Sequence, residues 1–281
     1  MTNYAVVIIS PPGYIHSATF REVAETVNQG LNNLGHNSVI RLAPTPDRQN
    51  IVFGSNLLPS YPVTLEPNSI LYNLEHIERG SEWVVPKFLE LHKEYKTWDF
   101  CEWNSKKFAG LGVNVSGILP MGYVKQATKF TPLEEKEFDV VFVGSMSPRR
   151  ANILKLMELS GLKVKWVWNC YGADRDRYLM RSKLVLNAHA NETPKILEIV
   201  RLSHYFANKV PVISERGCNW NEYESTYGDC AEWSTYGELV DRALALVKNT
   251  DRLNQLTENA YNTFTQIPIE PYLKELLEKE A

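Results

Sequence analysis

The sequence predicts an α/β fold of two Rossmann-like domains that face each other across a cleft. Short apolar runs alternate with segments of helical spacing twice along the chain, first from residue 4 and again from residue 138. The runs are apolar at nearly every position, as in strands that are buried on both faces of a parallel sheet. The length of 281 residues also exceeds that of the usual single domain. Because ligands of such sheets bind at the carboxyl ends of the strands, we expect the ligand between the two domains.

The first predicted domain covers residues 1–122. It starts with the strand YAVVIIS at residues 4–10, which two prolines and a glycine interrupt. Thr19 and Glu22 form a capping-box pattern at the start of a helix that Gly35 ends. Further strands are predicted at residues 38–43, 51–53, 69–74, 97–101 and 114–119, and a helix is predicted at residues 86–95. The polar segment of residues 123–137 is predicted to be a linker.

The second predicted domain covers residues 138–265, and a C-terminal helix follows within residues 266–281. Its strands are predicted at residues 139–143, 163–168, 183–187 and 210–214. Helices are predicted at residues 151–158, 173–181 and 194–207, and further helices follow the last strand. This order of elements predicts a second βαβ domain in tandem with the first.

The run FDVVFVGSMSPRR at residues 138–150 is the first candidate for a binding site. Gly144 permits a tight turn after the strand, Ser147 is suited to cap a helix, and Pro148 suits the first helical position. In that geometry the free amides of the helix start and the cations of Arg149 and Arg150 point into one crevice, which suits a phosphate or a diphosphate. An ordinary strand-to-helix connection with two solvated arginines is the alternative interpretation.

Other polar residues of the second domain follow its predicted strands. Tyr171 and Gly172 come just after the second of these strands, and Asn187 ends the third. Glu198 and Arg201 lie three residues apart on one predicted helix face, a spacing at which a helix salt bridge is the more usual interpretation. Because several polar groups converge on one edge of the sheet, we expect them to contribute to the same binding site.

In the first domain, His16 and Glu75 are the candidates for catalysis. His16 lies in the loop between the first strand and the first helix, and an imidazole ionises near neutral pH, as a general base requires. Glu75 follows a predicted strand, where it can meet substrate hydroxyls or bind backbone amides. Asp99 has a similar position and the same two interpretations. A purely structural role is the alternative for His16, and no spacing of Ser, His, Asp or Cys indicates a covalent triad.

The composition argues against several function classes. The net charge of -3 and the pI of about 6.1 show no basic excess that would indicate a nucleic-acid-binding protein. The four cysteines form no CxxC pair, so neither a zinc site nor a disulfide framework is predicted. Asp174 and Asp176 have the spacing of a metal-binding DxD motif, but they lie in a charged helical turn and are predicted to be solvated. Since signal-peptide features and long apolar runs are missing, we expect a cytoplasmic protein without stable membrane insertion.

Residues 138–215 resemble, over nearly their whole length, the C-terminal domain of GT-B glycosyltransferases of the compact bacterial "glycosyl transferases group 1" type. The matching pieces are FDVVFVGSMSPRRANIL, YGADRDRYLMRSKLVLNAH and LEIVRLSHYFANKVPVISE, with ILYNLEHI, TWDFCEWN and ILPMGYV as upstream landmarks. The resemblance implies that a nucleotide sugar binds to the second domain and that the acceptor enters over the first. It also implies that the last helix packs back on the first domain. It does not specify the sugar or the acceptor.

The resemblance also implies roles for single residues. Arg150 holds the position of a lysine that contacts the donor diphosphate in the larger family, and Ser145 replaces an arginine that often follows the glycine. Many retaining members carry two glutamates, and the place of the second is His204 here, so that Glu198 supplies the carboxylate instead. Retention or inversion of the anomeric centre stays open at this point. An inverting enzyme needs a base near the acceptor, with His16 or Glu75 as the candidates.

The favoured hypothesis is a metal-independent glycosyltransferase that moves a sugar from a nucleotide-sugar donor, such as a UDP- or GDP-sugar, to an acceptor hydroxyl without a further cofactor. The alternatives are a sugar-nucleotide epimerase or phosphorylase on the same fold and a non-catalytic nucleotide-sugar-binding module. The acceptor is open among a glycan, a lipid-linked sugar, a small molecule, a protein and a modified DNA base. The predicted donor-binding residues are Gly144, Ser145, Arg149, Arg150, Tyr171, Gly172, Asn187, Glu198 and Arg201.

Overall fold

The computed structural model describes residues 1–78, 81–192 and 195–280. The chain divides into two compact units, of which the first comprises Met1–Gln126 with Pro268–Ala281 and the second comprises Ala127–Ile267. The division after Gln126 falls inside the segment that is predicted to be a linker, so residues 123–126 belong to the first unit and residues 127–137 to the second.

Within the described residues, the first unit contains a parallel sheet of six strands. The strands are β1 (Asn3–Ile8), β2 (Asn37–Arg41), β3 (Gln49–Phe53), β4 (Ile70–Asn73), β5 (Lys96–Asp99) and β6 (Gly117–Ile118). They lie in the order β2-β1-β3-β4-β5-β6. The helices along this part of the chain are α1 (Arg21–Asn33), α2 (Pro86–Glu94) and α3 (Glu102–Ala109).

The second unit has, over its described ranges, a parallel sheet of five strands in the order β11-β10-β9-β7-β8. These strands are β7 (Phe138–Val143), β8 (Val164–Val167), β9 (Ser182–Asn187), β10 (Val212–Glu215) and β11 (Glu232–Ser234). The helices are α4 (Pro148–Leu159), α5 (Gly172–Met180), α6 (Ile199–Ala207), α7 (Glu224–Tyr227), α8 (Leu239–Leu246) and α9 (Thr250–Thr265). The last helix of the chain, α10 (Glu270–Glu280), belongs to the first unit.

Each sheet reverses its strand order at one point. In the second unit β7 lies between β8 and β9, and in the first unit β1 lies between β2 and β3. Neighbouring connections leave the sheet in opposite directions at such a point, which opens a crevice beyond the carboxyl ends of the two strands. The loops that follow β7 and β9 are therefore the expected ligand-binding loops of the second unit.

The core explains why the strands read as continuous apolar runs. Val140 and Phe142 on β7 are fully buried, and they pack in one cluster with side chains of α4 and α8. Val141 and Val185, which point to the opposite face of the sheet, are also fully buried. Both faces of the sheet are thus covered, as the sequence predicts for parallel strands.

The structure corrects the predicted starts of two helices. A short 3-10 helix (Ile15–Phe20) precedes α1, and the residue before α1 is Phe20, so the capping box predicted at Thr19 and Glu22 is wrong. The helix predicted from residue 194 begins at Ile199 instead, while residues 193–194 lie outside the described residues. Both starts depend on packing that local patterns do not show.

One α-helix and one strand were not predicted. Helix α3 has the polar sequence EWNSKKFA, in which the apolar residues show no clear helical period, and β11 is three residues long. Both are held by the rest of the unit, since Asn104 and Phe108 of α3 are fully buried and β11 pairs with β10.

None of the four cysteines, all of which lie in the described residues, forms a disulfide. In the parts of the chain that the structure describes, none of the helices combines the length and the apolar character that crossing a membrane would require.

Helix α10 packs on α1, and a tight backbone contact lies just before its first residue. The amide of Ile269 donates to the carbonyl oxygen of Tyr123 at 3.1 Å, and Gly122 lies directly beside this contact. A Cβ atom on Gly122 would lie 2.7 Å from the Cα atom of Ile269 and 3.0 Å from its nitrogen. Only a glycine fits this position, because both neighbours are backbone atoms that cannot rotate away.

We predict that Gly122→Ala destabilises the protein by about 1 to 3 kcal/mol, because the added methyl group forces the backbone at Ile269 away from the backbone at residue 122. Thermal unfolding followed by circular dichroism measures the effect. Gly237→Ala is the matched control, since a Cβ atom there meets nothing within 4 Å and the residue does not have a positive φ. Equal melting temperatures for the two variants would contradict the prediction.

Candidate functional site

The turn after β7 has the geometry of an anion-binding helix start. Gly144 has a φ of 147°, which side-chain-bearing residues rarely adopt. Ser147 caps α4, because its hydroxyl oxygen accepts the amide hydrogen of Arg150 at 3.2 Å, and Pro148 is the first helical residue. The amide of Ser145 makes no hydrogen bond within the described residues. The cap and the proline confirm the predicted local structure, and the turn presents backbone donors where β7 ends.

Arg150 is a buried cation with neutral partners. The residue is 4% exposed, its Nε donates to the carbonyl oxygen of Ala188 at 2.8 Å, and its Nη1 donates to the carbonyl oxygen and the hydroxyl of Ser145 at 3.0 and 3.2 Å. Burial and, after it, repulsion by Arg201 lower the pKa of Arg150 to about 10, so the side chain is still charged at neutral pH. No carboxylate forms an ion pair with it among the residues described. A buried charge of this kind favours the binding of an anion.

Arg201 lies next to the same turn. Its Nη2 is 3.4 Å from Oε2 of Glu198, and its Nη1 donates to Oδ1 of Asn187 at 3.3 Å. A Cβ atom on Gly144 would lie 3.7 and 3.8 Å from the two terminal nitrogens of Arg201. Asn187 is fully buried and also donates to the hydroxyl of Ser214 at 2.9 Å. Asn187 therefore orients Arg201 from inside the protein, while its predicted contact with the donor stays a prediction.

Arg149 has a different environment from its neighbour. Its two terminal nitrogens donate to the two carboxylate oxygens of Glu215, each at 2.6 Å, and the guanidinium lies 3.7 Å from the centre of the Tyr236 ring. The two side chains of the ion pair are 16% and 7% exposed. This pair neutralises Arg149 and ties the first turn of α4 to the end of β10, so the structure lends no support to its predicted phosphate contact. Glu215 was missed in the sequence, although it ends an apolar strand as Asn187 does.

The remaining donor-binding candidates lie at the same edge of the sheet. Glu198 forms the predicted ion pair with Arg201, but it precedes α6 instead of lying on the helix, and its side chain is 32% exposed. Tyr171 and Gly172 lie between β8 and α5, where Gly172 has a φ of 55° and Tyr171 is the residue before the helix. The structure thus brings Glu198 to Arg201, and it places Tyr171 and Gly172 beyond the neighbouring strand β8.

The DxD sequence on α5 does not form a pair of solvated carboxylates. Asp174 is exposed, as predicted, and it forms an ion pair with Arg177 at 3.3 Å. Asp176 is buried and contacts Arg175 at 2.8 Å and Nε2 of His204 at 2.9 Å, so its predicted solvation is wrong. Residues two apart on a helix point about 200° apart, which directs one side chain to water and the other inward. Among the residues that the structure describes, no group of three or more His, Cys, Asp or Glu has the arrangement to hold a metal ion.

In the first unit, two asparagines link Asp99 to the backbone of Glu75. The side-chain amide of Asn73 donates to Oδ2 of Asp99 at 2.7 Å and to the carbonyl oxygen of Glu75 at 2.8 Å. Asn104 donates to the same two residues at 3.3 and 2.8 Å. The carboxylate of Glu75 accepts a hydrogen bond from Asn56 at 3.2 Å. Asp99 is fully buried and holds the loop after β4 in place through the two asparagines. Glu75 is partly exposed just beyond the carboxyl end of β4.

The two predicted catalytic residues lie at the same edge of this sheet. His16 is partly buried in the 3-10 helix that follows β1, and its ring centre is 5.1 Å from that of Tyr14 in an edge-on contact. Burial and the negative charges of Glu75 and Glu82 raise the pKa of Tyr14, which places the Glu75 carboxylate within electrostatic reach of Tyr14. Tyr14 therefore contacts His16 and is affected by the charge of Glu75, and the catalytic roles of His16 and Glu75 stay a prediction.

No protein-family model matches the sequence. The chain is 24% identical over 208 residues to the uncharacterised protein L140 of Acanthamoeba polyphaga mimivirus, which covers 71% of this chain and 65% of that protein. It is 30% identical over 128 residues to the uncharacterised protein L138 of the same virus, which covers 42% of this chain and 14% of that protein. The chain thus spans less than two thirds of the length of these relatives.

Solved structures share the fold. The chain is similar to TarM with a TM-score of 0.58 and 13% identity, over 95% of this chain and 58% of that one. It is similar to WaaG, a glycosyltransferase involved in lipopolysaccharide biosynthesis, with a TM-score of 0.58 and 10% identity, over 97% of this chain and 98% of that one. The N-terminal domain of trehalose-6-phosphate phosphatase of Candida albicans matches with a TM-score of 0.53 and 10% identity, over 100% of this chain and 97% of that domain. These likenesses confirm the predicted GT-B fold of two Rossmann-like domains.

The burial of Asp99 is expected to make the stability of the protein depend on pH. Burial raises the pKa of Asp99 from 3.8 to about 7, against hydrogen bonds from Asn73, the amide of Cys101 and Asn104. The native state therefore holds this proton more tightly than the unfolded chain between about pH 4 and pH 7, and the contribution of Asp99 to stability falls as the pH rises through that range.

We predict that Asp99→Asn, which removes the charge and keeps the shape, becomes more stable relative to the wild type as the pH rises from 5 to 8. The relative gain amounts to a few kcal/mol at most, and denaturant unfolding at several pH values measures it. Two stability curves that stay parallel over this range would show that Asp99 titrates alike in the native and unfolded states.

Proposed function

We propose that this protein is a metal-independent glycosyltransferase that transfers a sugar from a nucleotide-sugar donor to an acceptor hydroxyl, with the donor diphosphate bound at the turn after β7. The observation that carries the proposal is the guanidinium of Arg150, which is 4% exposed, has neutral partners and lies beside Arg201 at the start of α4. Two neighbouring cations and a helix start at a sheet's reversal point favour a doubly charged anion.

This arrangement fits the chemistry of a nucleoside diphosphate as a leaving group. In the transfer, the bond between the anomeric carbon and the diphosphate oxygen breaks and the acceptor oxygen bonds to that carbon, while the acceptor proton passes to a base. Negative charge then accumulates on the departing phosphate oxygen. In the proposed complex Arg150, Arg201 and the amide of Ser145 stabilise that charge, and the proposal needs no metal ion for it.

The similar structures support this function, because WaaG is a glycosyltransferase and a mutant of S. aureus TarM was crystallised with fondaparinux, α-GlcNAc-glycerol and UDP. A nucleotide sugar is accordingly the donor class that we propose, with a UDP-sugar as the first candidate to test. Glu198, partly exposed beside Arg201, is suited to accept hydrogen bonds from ribose or sugar hydroxyls. Tyr171 and Gly172 extend the donor site along the carboxyl edge of the sheet.

On the first unit we propose that the acceptor hydroxyl meets His16 or Glu75. Both residues lie at the carboxyl edge of the sheet, and Glu75 has its backbone held by Asn73 and Asn104. An imidazole that takes the acceptor proton makes the reaction inverting, since the acceptor then attacks from the side opposite the leaving group. His16 is the first candidate for this base.

Arg150 supplies the test of the donor site. We predict that Arg150→Met, which keeps most of the volume of the side chain, weakens the binding of UDP or GDP by about tenfold or more, because a charge-assisted contact to a phosphate is lost. Isothermal titration calorimetry on the folded variant measures the change. Arg181→Ala is the control, because Arg181 is a partly exposed arginine of the same unit that pairs with Glu137. Unchanged affinity of Arg150→Met for UDP and GDP would show that the diphosphate does not bind at this turn.

His16 supplies the test of the acceptor side. We predict that His16→Gln lowers the turnover of donor hydrolysis by about a hundredfold or more, whereas the affinity for UDP stays within about twofold, because a general base acts on the attacking oxygen and not on the leaving group. Released nucleoside diphosphate measures turnover, and NMR taken early in the reaction gives the anomeric configuration of the freed sugar.

The control for this prediction is His36→Gln. His36 lies just before β2, at the amino-terminal ends of the parallel strands, whereas His16 lies at their carboxyl ends. A freed sugar of retained configuration, or wild-type turnover in His16→Gln, would exclude His16 as the base.

A further inference from the structure

The loop after β10 holds the segment that leads into α6. Within this loop, residues 216–219, the amide of Cys218 donates to the carbonyl oxygen of Lys195 at 2.7 Å. A Cβ atom on Gly217 would overlap the backbone nitrogen of Leu197 and lie 2.7 Å from the carbonyl carbon of Ile196. The two backbones therefore pass in direct contact, which only a glycine at position 217 permits.

A side-chain hydrogen bond from the backbone of residue 197 to Asn219 stabilises this contact. The residue is fully buried, its Oδ1 accepts the amide hydrogen of Leu197 at 2.9 Å, and its Nδ2 donates to Oε2 of Glu222 at 3.3 Å. Leu197 is also fully buried, so its amide has no access to water and needs this acceptor. The side chain of Asn219 thus determines where the backbone of residue 197 lies.

The position of residue 197 determines the position of the donor-site residues that follow it. Glu198 comes next and is the residue before α6, and its side chain makes no capping hydrogen bond to the helix. The amides of Arg201 and Leu202 donate to the carbonyl oxygen of Glu198 at 2.9 and 3.0 Å. The backbone at residues 195–198 therefore determines where α6 starts. The side chains of Glu198 and Arg201 project from this start.

We propose that Asn219 is a positioning residue of the donor site, which acts by holding the backbone at Leu197 so that Glu198 and Arg201 face the nucleoside diphosphate. The inference rests on the proposed function, because it takes Glu198 and Arg201 as donor contacts. It adds a fully buried residue that acts on these two side chains through the backbone at Leu197.

A matched control lies at the other end of the same helix. Asn208 follows α6, is fully buried like Asn219, and its Oδ1 accepts the backbone amides of Lys129 and Phe130 at 2.6 and 3.1 Å. Asn208→Ala therefore removes a comparable buried acceptor of backbone amides without disturbing the start of α6. Asn219→Ala and Asn208→Ala are both expected to lower the melting temperature.

The experiment measures the affinity of the folded variants for UDP and GDP by calorimetry, in the wild-type background and in a background that carries both Glu198→Ala and Arg201→Ala. We predict that Asn219→Ala weakens binding by about fivefold or more in the wild type and by less than about twofold in the Glu198→Ala, Arg201→Ala background, because Asn219 acts through those two side chains. Asn208→Ala is predicted to leave the affinity within about twofold in either background.

A double variant separates positioning from loss of stability. Asn219→Asp with Glu222→Gln keeps an acceptor for the amide of Leu197 and avoids two facing carboxylates, so its affinity is predicted to stay near that of the wild type. The inference is wrong if Asn219→Ala binds as the wild type does, if its loss persists in the Glu198→Ala, Arg201→Ala background, or if Asn208→Ala loses as much. A wild-type protein that binds neither nucleotide would instead overturn the proposed function.

Discussion

The charge of Arg150 is the constraint on which the second unit's site depends. Removing a guanidinium from water costs several kcal/mol, and here the carbonyl oxygens of Ala188 and Ser145 repay only part of that cost. The same bonds tie the turn after β7 to the end of β9, which are the two strands at the reversal point of the sheet. The fold therefore holds a buried cation beside the reversal point, and this cation is the basis of the anion site that we propose.

Three arginines near this crevice have three different tasks. Arg149 is neutralised by Glu215 and holds α4 to β10, Arg150 is buried among neutral acceptors, and Arg201 is oriented by Asn187. Successive residues of a helix point about 100° apart, which is why two adjacent arginines enter such different surroundings. Two of the three arginines are thus held by polar side chains, whereas no carboxylate pairs with Arg150 among the described residues.

In the first unit, hydrogen bonds from two neutral asparagine side chains hold the carboxyl edge of the sheet. Asn73 and Asn104 each bridge the buried carboxyl group of Asp99 and the carbonyl oxygen of Glu75, so the loop after β4 is anchored from below. Because Asp99 has no cationic partner among these contacts, burial favours its protonated form. The anchored loop then presents the Glu75 carboxylate at the edge where His16 also lies.

Features that depend on neighbouring residues were determined by the sequence alone: the buried parallel strands, the turn at Gly144 and the cap at Ser147. Their physical causes, namely apolar runs, a positive φ and a hydroxyl beside a helix start, act within a few residues. The tertiary structure alone decided which charges are paired. Arg149 meets Glu215 across 66 residues of chain, and Asn219 meets the amide of Leu197 across 22. Such contacts follow from the order of strands in the sheet, and the identity of a side chain does not reveal which distant partner will compensate its burial.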